Sequence, residues 1–419
     1  MTIRKIFYVY SLFLFIFVSI HAFAEENSIT LTLDEALRLS LSHPNVEAKK
    51  KELGGAIQKV QTSKWLRFPS VSVISQAGQA SVSSTNSTVV TTFRVEQPLW
   101  AGGRITGSID SAIAKSKSAQ SAVSEVEQDI LIKSASAFIN YLKFQDKISA
   151  SKESIVEHQR LLELIERRAR NEISPMTEII LAKARLDQAK SENIQLETAA
   201  MNAKADLQNY TGVNIKSLES PRIALTLPDS ISDAVRLAVE YSPTLKRLTT
   251  DSESAEADIE TAKASIWPQL NLRSDQNYGG ILEGNTTYLA LSYTPGNGLS
   301  ALSNAKEAEA KRDASKNFIS SAKLDLVNKI NTDWNQHKSD SKQTEVLFNL
   351  SQTTKGVYQS YARQYVAGKK TWVEVLNAKK EATQARYSLA DYQWNSVLSG
   401  IKIQVYTGIL SESNINISN

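Results

Sequence analysis

Side chains able to carry out covalent chemistry are scarce in this chain of 419 residues, which has no cysteine and four histidines. Three of those histidines, His43, His158 and His337, lie beyond the N-terminal apolar segment and are far apart in sequence. A catalytic triad or a metal site built from thiolate and imidazole has little material here. Gly102-Gly103 follows a strand-like segment, but no phosphate-loop lysine and hydroxyl come after it, so these glycines read as a turn from strand into helix. What the chain offers instead is charge at repeated places. Glu178 and Glu374 are related by an offset of 196 residues, which also carries Tyr210-Thr211-Gly212 onto Tyr406-Thr407-Gly408, Ala182-Lys183 onto Ala378-Lys379 and Ala189 onto Ala385. The chain reads as a duplication.

Upstream the halves keep one order of elements. Asp34-Glu35-Ala36-Leu37-Arg38-Leu39 answers Ser232-Asp233-Ala234-Val235-Arg236-Leu237, and the step from Pro44 to Pro69 equals that from Pro243 to Pro268. A unit this long exceeds the roughly 20 to 50 residues of solenoid repeats, so two large copies imply pseudo-symmetry within one body. The expected division is residues 1–24 as a signal peptide, 25–227 as the first repeat and 228–419 as the second. Arg4 and Lys5 precede an apolar run from Ile6 to about Ile20 and then Ala22-Phe23-Ala24, the pattern of a cleaved secretory signal. A membrane anchor is the competing reading, but the run is shorter than the roughly 20 residues that cross a bilayer as a helix. Losing Arg4 and Lys5 reduces the formal charge of +4 by two, which leaves no broad basic face for nucleic acid.

The elements that position the charges follow from composition. After Gly107 no glycine or proline occurs until Pro175, which at about 1.5 Å per residue allows a helix on the order of 100 Å long. Tyr141, Ile148, Ile155, Leu162 and Ala169 recur every seventh residue, with Phe144, Ser151, His158 and Ile165 offset by three, the seam of a left-handed supercoil. His158 on that seam reads as a register-fixing polar residue. Ser174-Pro175 interrupts the pattern, after which Ala182, Ala189, Leu196 and Ala203 form a second row of mostly small residues. The expected helical hairpins span about 104–210 and about 299–408, the second turning near Gly368.

Ahead of each hairpin the texture changes to period two. Val89, Thr91, Phe93 and Val95 share one face and Val90, Thr92, Arg94 and Glu96 the other, so 69–99 reads as a β-hairpin with a polar turn at Ser81–Ser87. A second hairpin is expected over 268–295, with its Gly-rich tip at Asn277–Asn285. Strands of about 9 to 11 residues can cross a membrane at a tilt. Four strands cannot close, and open sheet edges are not tolerated in lipid, so either the hairpins are soluble or several chains share one barrel. Trp65, Phe68, Trp100, Trp267 and Tyr293 stand where strands meet helices, either as an interfacial aromatic belt or as filling for that junction.

Taken together, these segments resemble the TolC family of outer-membrane channel proteins over essentially all of the chain beyond residue 24. The likeness rests on Leu33-Asp34-Glu35-Ala36-Leu37 and Ile231-Ser232-Asp233-Ala234-Val235, on Phe68-Pro69 and Trp267-Pro268, and on Gln97-Pro98-Leu99-Trp100-Ala101-Gly102-Gly103-Arg104. Thr177-Glu178-Ile179 and Val373-Glu374-Val375-Leu376-Asn377-Ala378 complete it. The resemblance implies a mainly α fold with β. A long antiparallel coiled-coil helical barrel in the periplasm is joined to an outer-membrane β-barrel closed by three chains, four strands from each. It implies a homotrimer in outer-membrane lipid that exports and does not catalyse, with a periplasmic adaptor, an inner-membrane transporter, and no cofactor or nucleic acid. The absence of a cysteine to carry lipid, and the likeness of Gln97–Arg104 to secretion channels, direct the expectation to type I protein secretion. Small-molecule efflux is the alternative, and a soluble periplasmic coiled-coil scaffold is the alternative of another class.

By the same resemblance the periplasmic mouth is narrowed at Glu374 and Asn377 and held shut through Tyr365, Lys370 and Glu178. A ring of carboxylates there would attract cations, and Lys370 is expected to pair with Glu178 across hairpins. The plainer reading of Glu374 is a solvated helix face.

Overall fold

A computed structural model of the protein describes residues 29–79, 87–219, 226–279 and 283–411, apart from 295, 297 and 299. The expected signal segment, most of the first hairpin turn and the centre of the second tip lie outside the described residues. The chain begins with β1 (Ile29–Leu31), α1 (Leu33–Ser40), α2 (Pro44–Trp65), β2 (Ser70–Gln79) and β3 (Ser87–Trp100). It continues as α3 (Arg104–Arg170), α4 (Met176–Thr211) and β4 (Ile215–Leu218). The same succession then returns as α5 (Ile231–Tyr241), α6 (Pro243–Lys263), β5 (Gln269–Tyr278), β6 (Gly284–Ser292), α7 (Ser300–Val366) and α8 (Trp372–Tyr406).

Local chemistry starts each helix pair. Thr32 caps α1 and closes a capping box with Glu35, while Ser230 caps α5. Pro44 and Pro243 occupy first-turn positions of α2 and α6, where their missing N–H costs nothing. His43 Nδ1 accepts from the backbone N–H of Asn45, so this histidine is a cap. Gly102 and Gly103 stand at φ 59° and 95°, and a Cβ on Gly102 would lie 2.9 Å from the Trp267 Cβ. The pair therefore makes the strand-to-helix corner that the sequence suggests.

Both α3 and α7 run for 67 residues, on the order of 100 Å. Ile148, Ser151, His158, Leu162 and Ile165 of the α3 seam are buried, as are Ala182, Ala189 and Ala203 of α4. Around the middle of α3 the core collects Leu37, Phe138, Ile139, Leu207, Ile215 and Ile401. At the turn end a second core joins Leu162, Ile165, Leu186, Tyr358, Tyr365, Trp372 and Val375. By contrast, α7 leaves Phe318, Leu324, Val346 and Phe348 exposed along its length.

The two β-hairpins merge into one antiparallel sheet of order β2-β3-β5-β6. Val95 faces Val71 on β2 and Ser274 on β5, and Leu272 faces Leu289 on β6, so these apolar residues share one face, while Ile74 and Val90 lie on the other. Trp65, Phe68, Trp100, Trp267 and Tyr293 are all exposed, so they do not fill the sheet-helix junction. One element is not anticipated by the sequence: β1 and β4 pair in parallel, Ile29 beside Ile215. Strands of three and four residues are too short to show a period.

The two helical turns are built alike. Ile173 N–H donates to Arg168 O and Lys369 N–H to Gln364 O, each at 2.9 Å, closing a Schellman-type turn around a left-handed residue. That residue is Glu172 at φ 59° in the first turn and Gly368 at φ 70° in the second. A side chain pays about 1 to 2 kcal/mol for this conformation. Glu172→Gly should slow exchange of the first-turn amides several-fold, and Gly368→Ala should quicken that of the second, as read by hydrogen-exchange mass spectrometry.

Candidate functional site

The turn end of the bundle, remote from the sheet, gathers the five residues singled out by the sequence. Tyr365 is buried at the end of α7, 5% exposed, against Trp372 at 5.5 Å between ring centroids. Its hydroxyl donates to Glu178 Oε2 at 3.2 Å and lies 3.3 Å from Ser174 Oγ, so it ties the α7–α8 hairpin to the α3–α4 hairpin. The Arg168 guanidinium sits over the Tyr365 ring at 4.8 Å. Burial pushes the phenol above its usual range, and the nearby Glu178 carboxylate adds to this, so it remains a donor.

Lys370 does not reach across to Glu178. From the turn just ahead of α8, its ammonium lies 2.7 Å from Glu374 Oε1 in the first turn of that helix and 4.3 Å from the centroid of the Tyr361 ring. Glu374 Oε2 accepts from the Thr371 backbone N–H at 2.8 Å and from Thr371 Oγ1 at 2.9 Å, which makes it the carboxylate of a capping box. The Lys370 ammonium first, then the Thr371 backbone amide, hold this carboxyl down to about 2. Asn377 stands exposed on the same helix.

The two related glutamates therefore have different partners, and the preceding cap position explains why. At the N-cap of α4 stands Pro175, which has neither an N–H nor a capping side chain. Glu178 has nothing to cap, and its carboxylate is free to accept from Tyr365. At the N-cap of α8 stands Thr371, which engages Glu374 from both backbone and side chain. Thr371-x-x-Glu374 was legible as a capping box; the parts played by Arg168, Ser174 and Tyr361 depend on which hairpin faces which and have no local signal.

Further along the bundle a second set of polar ties joins the hairpins. Tyr358 Oη donates to Glu157 Oε2 at 3.0 Å, Lys355 and Arg386 both reach Glu153, and Trp394 Nε1 donates to Asp146 Oδ2 at 2.7 Å. Lys379, buried among them, sits over the Tyr358 ring at 5.1 Å, and burial lowers its affinity for a proton. His158 is pushed down to about 4 by burial and then by Lys379 and Arg185, so it is neutral at neutral pH. His337 Nδ1 is 2.8 Å from the Ser396 carbonyl oxygen and joins α7 to α8. Among the described residues no group of three His, Cys, Asp or Glu is placed to hold a metal ion.

A family model described as outer membrane efflux protein matches residues 37–213 and again 234–408. The chain is 21% identical over 327 residues to outer membrane protein TolC of Vibrio cholerae, covering 74% of each. Among solved structures it is similar to the outer membrane protein VceC of Vibrio cholerae, with TM-score 0.78, 15% identity and coverage of 90% of this chain and 96% of that one. It is also similar to the MtrE outer membrane channel of Neisseria gonorrhoeae, described in its open state, with TM-score 0.73, 14% identity and coverage of 90% and 88%.

Two outcomes test this geometry. Tyr365→Phe removes one hydrogen bond to a half-exposed carboxylate, worth about 1 kcal/mol, and should raise exchange at the α3–α4 turn about five-fold. A carboxylate held low in the fold contributes stability at every pH above the ordinary carboxylate range and loses it as pH falls toward its own value. The start of α8 should therefore stay capped at neutral pH and fray progressively between about pH 4 and about pH 2, whereas in Glu374→Gln that acid step should vanish from the exchange profile.

Proposed function

Because the chain belongs to the outer membrane efflux protein family, we propose that it closes with two further copies of itself into a conduit that a periplasmic adaptor and an inner-membrane transporter load with protein cargo. Membership makes it an outer-membrane channel protein of export systems and not an enzyme. The observation that carries the closed assembly is the state of the sheet edges. Among the described residues β2 pairs only with β3 and β6 only with β5, and in lipid every unpaired backbone group costs several kcal/mol. The exposed apolar face, with Val71, Val73, Phe93, Leu289 and Leu291, suits hydrocarbon, and the exposed aromatics beside it suit the headgroup boundary. The number three comes from the family likeness, as do the adaptor and the transporter.

In this reading the four long helices continue the conduit below the membrane, and the turn end is its periplasmic mouth. Tyr365 and Glu178 act as the link between hairpins. Glu374, its pair Lys370 and the exposed Asn377 line the narrowing. The internal two-fold repeat, 25–227 and 228–419, supplies two similar hairpins per chain from one design.

Protein cargo is supported by the Gln97–Arg104 segment, which resembles those of secretion channels; the family's own description as efflux proteins favours small molecules as the second reading. Deleting the gene and comparing the secreted proteome with sensitivity to a drug panel separates the two. Loss of one or a few large secreted proteins with drug sensitivity unchanged is expected. Raised drug sensitivity with the secreted proteome intact would reverse the assignment.

A further inference from the structure

Every charged residue of the four-stranded sheet falls on one face. Arg94 and Glu96 of β3 alternate with the apolar Phe93 and Val95, and Arg273 and Asp275 of β5 alternate with Leu272 and Ser274. The register sets opposite signs against each other: Arg94 is directly across from Asp275, and Glu96 directly across from Arg273. Arg94 engages Asp275 as a fork, Nε to Oδ1 at 2.8 Å and Nη2 to Oδ2 at 2.9 Å, and Tyr288 Oη of β6 donates to the same Oδ2 at 3.1 Å. Glu96 Oε1 accepts from Arg273 Nη2 at 3.0 Å and from Asn271 Nδ2 at 2.6 Å. Thr92 and Asn277 extend the same row by a hydrogen bond of 2.6 Å. Asp275 is 7% exposed and Asn271 8% exposed even in a single chain, so the quartet is held flat against the sheet.

We propose that this quartet sets the ion preference of the membrane-embedded part of the conduit, by giving its wall a polar surface of zero net charge. The proposal rests on the conduit reading above, which turns this face inward and the apolar face toward lipid. Two cations and two anions per chain cancel within a few ångströms, and a forked pair keeps both side chains along the wall and out of the passage. A field from one sign would be focused inside a narrow low-dielectric channel, so cancellation leaves the wall indifferent to charge. Such a wall admits hydrated cargo of either sign, as an extended polypeptide with both acidic and basic side chains requires. Discrimination by charge is then left to the other end of the conduit.

Planar-bilayer recording of the assembled protein tests this at about 0.01 M salt, where the Debye length is roughly 30 Å. Asp275→Asn frees Arg94 and should raise the chloride-to-potassium permeability ratio about two-fold or more, while Arg273→Gln frees Glu96 and should lower it comparably. Arg94→Lys keeps the charge and loses the fork, so it should leave the ratio unchanged. The exchange of Arg94→Asp with Asp275→Arg in one chain should restore it, since the wall again carries no net charge, whereas shifts of opposite sign in Asp275→Asn and Arg273→Gln are what a purely structural role for the pairs would not predict. Thr92→Asp adds a charge to the same face at the cost of one hydrogen bond to Asn277 but of no ion pair, and should shift the ratio toward cations even if Asp275→Asn fails to assemble. If Asp275→Asn and Arg273→Gln conduct with an unchanged ratio, or shift it in the same direction as each other, the proposal is overturned. If the unaltered protein forms no channel at all, the conduit reading itself fails and takes this inference with it.

Discussion

A sheet with two unpaired edges is the constraint from which the rest of this molecule follows. Among the described residues the order β2-β3-β5-β6 pairs the inner strands on both sides and leaves one side of β2 and of β6 open. In water such edges are a hazard managed by charge or proline, yet neither outer strand carries a charged residue. In the proposed assembly, closure by further copies would remove the edges and give the apolar face a single environment. The four charges of the sheet then have to sit on the opposite face, and β3 and β5 place them across from each other so that each is neutralised where it stands.

The long helices solve a different problem with the same economy of means. A helix on the order of 100 Å cannot be held by its own propensity, and most helical stability comes from packing. The α3 seam is therefore buried against its neighbours, whereas α7, equal in length, keeps much of its apolar surface free. Polar ties between the hairpins, from Trp394–Asp146 through Arg386–Glu153 to Tyr365–Glu178, recur along the bundle without forming a continuous apolar weld. Each such tie contributes on the order of 1 kcal/mol, so the register of the two hairpins is set by several of them together.

The two halves of the chain carry turns with one hydrogen-bond pattern and glutamates at corresponding places. Their roles diverged through the residue three positions earlier. A proline there has no N–H to offer, and the glutamate turns to the neighbouring hairpin; a threonine there holds its glutamate on its own helix. Lys370 does not form the expected pair with Glu178 across the two turns, because its ion pair is decided within four residues of the chain, with Glu374.

Sequence by itself determined the long helices, their seven-residue seams, the two turns, the alternation of the strands and the strand-to-helix corner at Gly102-Gly103. All of these are local, set by side-chain period, by proline and by glycine at left-handed positions. The family likeness singled out Tyr365, Glu178, Lys370, Glu374 and Asn377, and the position of the two turns along the chain put them near one end. Only the tertiary structure decided who pairs with whom. The joining of β3 to β5, the parallel pairing of β1 with β4, the stacking of Arg168 on Tyr365 and the outward turn of the five junction aromatics all bring together residues from distant parts of the chain. No local period encodes such meetings, because they depend on which packed face of one element meets which face of another.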